Sequence, residues 1–171
     1  MDSISRQAEV SKRTVYNHFN SKDELFISVV LYTLEKMHDV ISTEFDPDSC
    51  IEKQLTRIAL AEIDLLQSEQ LLPFARMLMA ELISNPKMAL LLESKRPSFE
   101  TKFDQWLKAA VKHGALSVSD FEIAIQQFFG ILKGSAFWPA LLERKKLSKK
   151  QAEKVAQSTV SMFLNSYAKR P

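Results

Sequence analysis

Val10-Ser11-Lys12-Arg13-Thr14-Val15-Tyr16-Asn17-His18-Phe19 runs directly into Asn20-Ser21-Lys22-Asp23-Glu24-Leu25-Phe26, and the reading of this stretch decides the fold. Ser11 is placed to cap a helix, its hydroxyl accepting from the free N–H groups of the first turn. Val15 and Phe19 lie four apart and share a face. Lys12, Arg13, Tyr16 and Asn17 lie largely off that face. A short helix, anchored on one side and rich in donors on the other, is what a DNA major groove accepts. Ser21 with Glu24 three residues on forms a capping box. It opens a longer helix, expected over residues 22–44.

Upstream, residues 1–8 read as a short helix with Ile4 and Ala8 on its inner face, and Glu9-Val10 as a turn. The consecutive run from Asp2 to Phe19 resembles the helix-turn-helix of the TetR family of bacterial transcriptional regulators. Ser21-Lys22-Asp23-Glu24-Leu25-Phe26 is similar to that family's linking segment into its next helix. The resemblance implies a DNA-binding set of Ser11, Lys12, Arg13, Thr14, Tyr16, Asn17, His18 and Lys22. Lys12 and Arg13, near the helix start, can meet base edges or phosphates; Arg pairs with guanine O6 and N7. By resemblance Tyr16, His18 and Lys22 are mainly backbone contacts or orienting residues. Val15 and Phe19 should be core. Two departures from the family pattern stand out. Glu9 occupies a turn position that is usually glycine, at a cost of about 1–2 kcal/mol for the left-handed conformation. Ser5 stands where alanine is commoner. The family also carries a helix ahead of this point, and Met1 falls where the second helix should start. The expectation is a DNA-binding unit lacking that first helix, with Ile4, Ala8 and Phe19 short of partners.

Bulk properties set limits. The chain has 171 residues, 46% of them hydrophobic, with 3 glycines and 6 prolines, so a sizeable core with few obligatory turns is expected. A net charge of +2 makes any nucleic-acid footprint local. Cys50 is the single cysteine, which excludes an intrachain disulfide and a thiolate metal site within one chain. No apolar run approaches the ~18 residues of a membrane span, and the N-terminus lacks the regions of a signal peptide. A cytoplasmic protein is expected.

The remaining sequence repeats helical spacing and offers no strand alternation or hairpin dipeptide. The fold class is all-α, with about eight helices: a truncated TetR-like helix-turn-helix region over residues 1–45, and a ligand-binding and dimerisation domain over 46–171. Residues 45–49 (Phe-Asp-Pro-Asp-Ser) are a break, with Pro47 biasing Asp46 away from helix. Helices are expected over 50–68, 71–83, 87–95, 98–113, 119–138 and 148–168. Ser98 is a candidate cap, Ser119 with Glu122 caps the penultimate helix, and Ser148 with Gln151 caps the last. Gly114 terminates a helix after Lys112 and His113. The penultimate helix stops at Trp138-Pro139, and residues 141–150 form a basic connector.

Two further sites are candidates. Phe74, Met77, Leu78, Phe103, Trp106, Leu107 and Phe128 could line a pocket for a small apolar effector, methionine adapting to varied shapes; plain core packing explains the same spacing. Arg76, Glu81 and Gln127 are candidate polar anchors. The stripes of the last two helices, Phe121, Ile125, Phe129, Leu132, Ala136, Val155, Thr159 and Phe163, could pair with a second copy in a four-helix bundle. No paired-histidine metal spacing, phosphate loop or nucleophile elbow occurs, so neither an enzyme nor a resident cofactor or metal is expected. The resulting reading is a homodimeric transcriptional regulator that binds operator DNA, by resemblance a repressor released by a small apolar effector. The alternative is a dimeric ligand-binding or interaction module that no longer binds DNA.

Overall fold

The structure is a computed structural model that describes residues 2–38, 44–95 and 102–169. Among these residues the regular structure is helical, with one isolated antiparallel bridge between Leu116 and Ala168. The helices are α1 (Asp2–Gln7), α2 (Lys12–His18), α3 (Lys22–His38), α4 (Ile51–Leu66), α5 (Leu71–Ser84), α6 (Pro86–Lys95), α7 (Lys102–His113), α8 (Phe121–Leu132), α9 (Trp138–Leu142) and α10 (Lys149–Tyr167). None of these helices is long and apolar enough to cross a membrane.

The chain forms two compact units, one of Met1–Lys36 with Leu78–Ser98, the other of Met37–Met77 with Phe99–Pro171. They interleave in sequence, whereas the expected division was a single cut at residue 45. In the first unit Val15, Ile27, Val30 and Met88 are buried. The expected inner pair of α1 is not: Ile4 and Ala8 are exposed, and Ser5 is buried instead. The Ser5 hydroxyl donates to the Asp2 carbonyl at 3.1 Å, which satisfies it in that position. Glu24 joins this unit's elements, accepting a hydrogen bond from Lys95 on α6.

In the second unit α4 lies against α10, and α8 packs on both α10 and α7. The stripe Leu55, Ile58, Ala59, Ile63 and Leu66 of α4 is buried, as its helical spacing requires. Around it Phe103 stacks on Phe128 at 5.1 Å and on Trp106 at 5.7 Å, and Phe163 meets Phe128 edge-on at 5.2 Å. Offset and edge-on aromatic pairs of this kind add to their area burial. Gln54, only 2% exposed, uses its whole hydrogen-bonding capacity. Its Oε1 accepts from Asp46 N at 3.0 Å and Trp106 Nε1 at 3.2 Å; its Nε2 donates to the carbonyls of Asp46 at 2.8 Å and Ser49 at 3.1 Å. Phe45 packs edge-on against Trp106.

Local signals mostly act where they stand. Gly114 has φ +84, and Ser148 with Gln151 makes a full capping box. The cap of α8 is Asp120, not Ser119: its carboxylate accepts from Ile123 N at 3.0 Å, an acceptor with a charge that suits a helix N-terminus. The helix does not stop at Trp138-Pro139. It passes through a π-helical turn, Lys133–Phe137, and continues as α9. A wider turn ahead of Pro139 relieves the clash between the proline ring and the preceding carbonyls. Arg76 then closes α9, donating from Nε to Leu141 O and from a terminal guanidinium nitrogen to Ala140 O, both at 2.9 Å. Helix α3 is described to His38, and Glu44 is non-helical; residues 39–43 and the Ser98 cap lie outside the described residues.

Candidate nucleic-acid interface

Helices α1 and α2 meet across a tight turn. Glu9 sits at φ 54, the left-handed conformation expected of it, while Glu9 N donates to Arg6 O and Val10 N to Ser5 O. Ser11 then caps α2: its Oγ accepts from Thr14 N at 3.0 Å and lies 2.7 Å from the Thr14 hydroxyl. This cap fixes where α2 begins. Val15 is buried, and Lys12, Arg13, Thr14, Tyr16, Asn17 and His18 are exposed. Lys22, in the first turn of α3, is exposed as well.

Lys12 Nζ lies 2.8 Å from Asp2 Oδ1, joining the first turns of α1 and α2. The hydrogen bond first, and the charge second, hold the Asp2 carboxyl below its usual range and push the Lys12 ammonium above its own. Both groups are exposed, so the pair adds little stability and a phosphate could compete for the lysine. Arg13 has no ion-pair partner among the described residues. Its forked guanidinium can reach two acceptors on one base edge. Glu24 is held at about 2, by the Lys95 hydrogen bond first and then by the Asn20 backbone and side chain. It caps α3 together with Ser21, whose Oγ accepts from Glu24 N at 3.0 Å. Glu24 therefore turns back to Asn20 and not to Ser21, a variant of the expected capping box. The Lys12–Asp2 and Lys95–Glu24 pairs were not anticipated; the second joins residues too far apart in sequence for any local pattern to reveal.

The two other candidate sites are placed as follows. Phe103, Trp106, Leu107 and Phe128 are buried in one core cluster, with the Phe103 ring stacked on those of Trp106 and Phe128. Phe74 is half-buried and Met77 exposed in the second unit, whereas Leu78 belongs to the first. Arg76 is occupied as the cap of α9, and Gln127 accepts from the Tyr167 hydroxyl at 2.7 Å. Of the expected dimer stripe, Phe121, Ile125, Phe129 and Val155 are half-buried. Leu132, Ala136, Thr159 and Phe163 are buried in the chain's own core, at 4% exposure or less, which corrects their expected place on an intermolecular surface. The stripe is the side of α8 and α10 that closes the chain's own core. Away from that side Ile123 on α8, Trp138 on α9 and Met162 on α10 are exposed, and Gly130 on α8 and Gly134 in the π-helical turn have open space over the Cα. Between α8 and α10 lies a cleft of about 290 Å³ lined by Gln127, Ile131, Met162, Ser166 and Tyr167, floored by Phe128 and Phe163.

Comparison with known proteins bears on both ends of the chain. The N-terminal model of bacterial regulatory proteins of the tetR family matches residues 1–29, and that of the AefR-like transcriptional repressor C-terminal domain matches residues 53–169. The HTH-type transcriptional regulator SrpR of Pseudomonas putida is 26% identical over 139 residues, 78% of this chain. The chain spans 62% of that relative's length. A crystal structure of a TetR family transcriptional regulator from Pseudomonas syringae pv. tomato str. DC3000 superposes with a TM-score of 0.77 at 31% identity, covering 99% of this chain and 86% of that one. A TetR-family structure from Mesorhizobium loti MAFF303099 superposes with a TM-score of 0.76 at 27% identity, covering 96% and 84%.

Proposed function

Because the chain belongs to the TetR family of bacterial transcriptional regulators, we propose that it is a homodimeric, cytoplasmic repressor that reads operator DNA with α2 and releases it when a small apolar effector binds. The observation that carries the DNA reading is the face of α2: Ser11 caps the helix, Val15 is buried, and Arg13, Tyr16 and Asn17 are exposed together. A major groove takes such a helix end-first, its N-terminal side chains on base edges. The set Ser11, Lys12, Arg13, Thr14, Tyr16, Asn17, His18 and Lys22 remains the proposed contact surface.

Dimerisation follows from geometry on the operator side. Two recognition helices must sit about 34–36 Å apart, or a multiple of that, to meet successive turns of one groove. The outward side of α8, α10 and the turn leading into α9 supports a second copy there: Ile123, Trp138 and Met162 supply apolar area, and Gly130 and Gly134 permit close helix approach. An effector is proposed to act in the second unit, near Phe74, Met77, Phe103, Trp106, Leu107 and Phe128. The mutual packing of the four buried members means that such a ligand must part stacked rings to enter. That requirement supplies the differential affinity that coupling needs, because only a rearranged unit would accommodate it. The chain crosses between the units at Lys36–Met37 and Met77–Leu78, so rearrangement in one has covalent routes to the other.

Selection of duplexes from a random pool tests the reading. The expected product is a two-fold symmetric site with half-sites one helical turn or a multiple apart. A pool that stays unenriched while the chain is folded and dimeric would refute it. One observation favours the second reading, a dimeric ligand-binding or interaction module: Ile4, Ala8 and Val10 leave apolar surface open on the helix-turn-helix. An N-terminal unit that exchanges its amide protons freely in the folded dimer would support that reading instead.

A further inference from the structure

The positive charge of this chain is not concentrated on α2. Residues 143–154 hold Arg144, Lys145, Lys146, Lys149, Lys150 and Lys154 against only Glu143 and Glu153, in a chain whose net charge is +2. All eight are exposed. Lys145 pairs with Glu143 at 2.7 Å, and Lys146 approaches Glu69 at 3.9 Å. Arg144, Lys149, Lys150 and Lys154 have no ion-pair partner among the described residues.

This surface is held still. Glu143 N and Lys145 N both donate to Pro139 O, at 3.0 and 3.2 Å, and Leu147 N donates to the Gln67 side chain. Arg76 closes the preceding turn, and the Leu147 side chain packs against the core. The arrangement is also electrostatically unfavourable to the fold. The first turn of α10 contains Lys149 and Lys150 and no acidic residue. Cations there oppose the partial positive charge of a helix N-terminus. The capping box uses neutral Gln151, where glutamate would supply the favoured negative charge. Arg144 is held at φ 57, a left-handed conformation that suits glycine. A fixed backbone that displays crowded cations, against the preference of its own helix, is matched to an anion outside the chain.

The anion that fits is a polymer of evenly spaced charges. Leu147 packs against the core, so Leu142 is the one apolar side chain left exposed at this run, too little for the apolar face that seats a helix in a bilayer surface. On α2, by contrast, Lys12 is already engaged by Asp2. We propose that residues 144–154 form a second nucleic-acid contact, gripping the phosphates of duplex DNA without reading its sequence. The proposal rests on this chain working on DNA, and is independent of whether α2 reads the operator.

The test measures binding of the full chain to a random-sequence duplex by fluorescence anisotropy across 50–200 mM salt. The quadruple substitution Arg144→Ala, Lys145→Ala, Lys149→Ala, Lys150→Ala is compared with the parent and with Lys12→Ala, Arg13→Ala. Each phosphate contact contributes about 0.9 to the slope of log affinity against log salt. The quadruple variant is expected to lower that slope by about 3.6 per chain, to weaken random-duplex binding at least tenfold, and to keep its helicity. Lys145→Arg, Lys149→Arg, Lys150→Arg is expected to retain the slope. A slope unchanged by the quadruple substitution overturns the proposal, and if Lys12→Ala, Arg13→Ala still lowers it, the operator reading stands. A quadruple variant that loses affinity only for vesicles of anionic phospholipid, with duplex binding intact, overturns it in favour of a membrane. Loss of random-duplex binding in the quadruple variant alone supports it even if α2 proves not to be the reader.

Discussion

Replacing Gln54 with leucine removes the hydrogen bonds that tie residues 46–49 to α4 and α7 while nearly preserving volume. The magnitude can be built from the four partners. Trp106 Nε1 belongs to a side chain 1% exposed, so its N–H would be left without a partner and without water. Such an orphan costs about 1–3 kcal/mol. The Asp46 N–H, Asp46 carbonyl and Ser49 carbonyl lie in residues that are exposed or half-buried, and water recovers part of their bonding. They add about 1 kcal/mol together, and the leucine's apolar transfer returns about as much. The net expectation for Gln54→Leu is a loss of about 1–3 kcal/mol. In urea unfolding followed by circular dichroism, at one fixed protein concentration, this lowers the midpoint by about 0.5–1.5 M for a slope near 2 kcal/mol/M. Trp106→Phe removes only one donor. The double variant should therefore be less destabilised than the sum of the singles, by about 1 kcal/mol of coupling. A midpoint shift corresponding to under about 1 kcal/mol, or additivity of the two substitutions, would refute the assignment of Gln54 as the clamp on this segment.

Three other outcomes follow from the geometry. Glu9→Gly relieves a left-handed residue but adds freedom to the unfolded chain, so a net stabilisation of about 0.5–1 kcal/mol is expected in thermal unfolding of the N-terminal unit; a loss of stability would contradict the strain at φ 54. Glu24 is held at about 2, below its usual value, by Lys95 and Asn20. A depressed carboxyl contributes stability that is present above its unfolded value and lost as pH falls through the folded one. The protection of α3 amides, with the intrinsic pH dependence of exchange divided out, should therefore fall as pH drops from about 4.5 toward 2, and in Glu24→Gln this fall should vanish. Trp138→Asp places a charge on the exposed side of α9 without touching the buried core, and sedimentation should show monomer with near-parental helicity; an unchanged dimer would remove this face from the interface.

Much of the fold was legible because its signals are local. Ser11, Gly114, Pro86 and the Ser148–Gln151 pair act within one helical turn of themselves, and each does so in the structure. Errors arose where neighbouring signals compete or where coverage matters. Ser119 and Asp120 both qualify as caps, and only the observed backbone decides between them. Pro139 reads as a stop, yet a widened turn accommodates it. Leu132, Ala136, Thr159 and Phe163 are apolar at helical spacing whether a partner chain or the chain's own core covers them. Periodicity tells which side of a helix is apolar and not what lies against it. Ile4 and Ala8 fail as an inner pair for the same reason. Gln54, and the Lys95–Glu24 pair joined across 71 residues, leave no local pattern at all. The candidate DNA surface could be proposed from sequence because its eight residues fall within residues 11–22; the candidate pocket residues are spread over α5, α7 and α8, and no local pattern links them.

The central claim is that α2 reads a specific duplex. Its most direct measurement is the ratio of affinities for a selected duplex and for a random one at fixed salt, with the parent chain and with Arg13→Ala. Arg13 is the exposed, unpaired cation of α2, and a lost bidentate base contact costs about 1–3 kcal/mol of discrimination. The account predicts that the ratio falls about 5- to 150-fold while random-duplex affinity changes little. An unchanged ratio, with both affinities reduced alike or not at all, would contradict it.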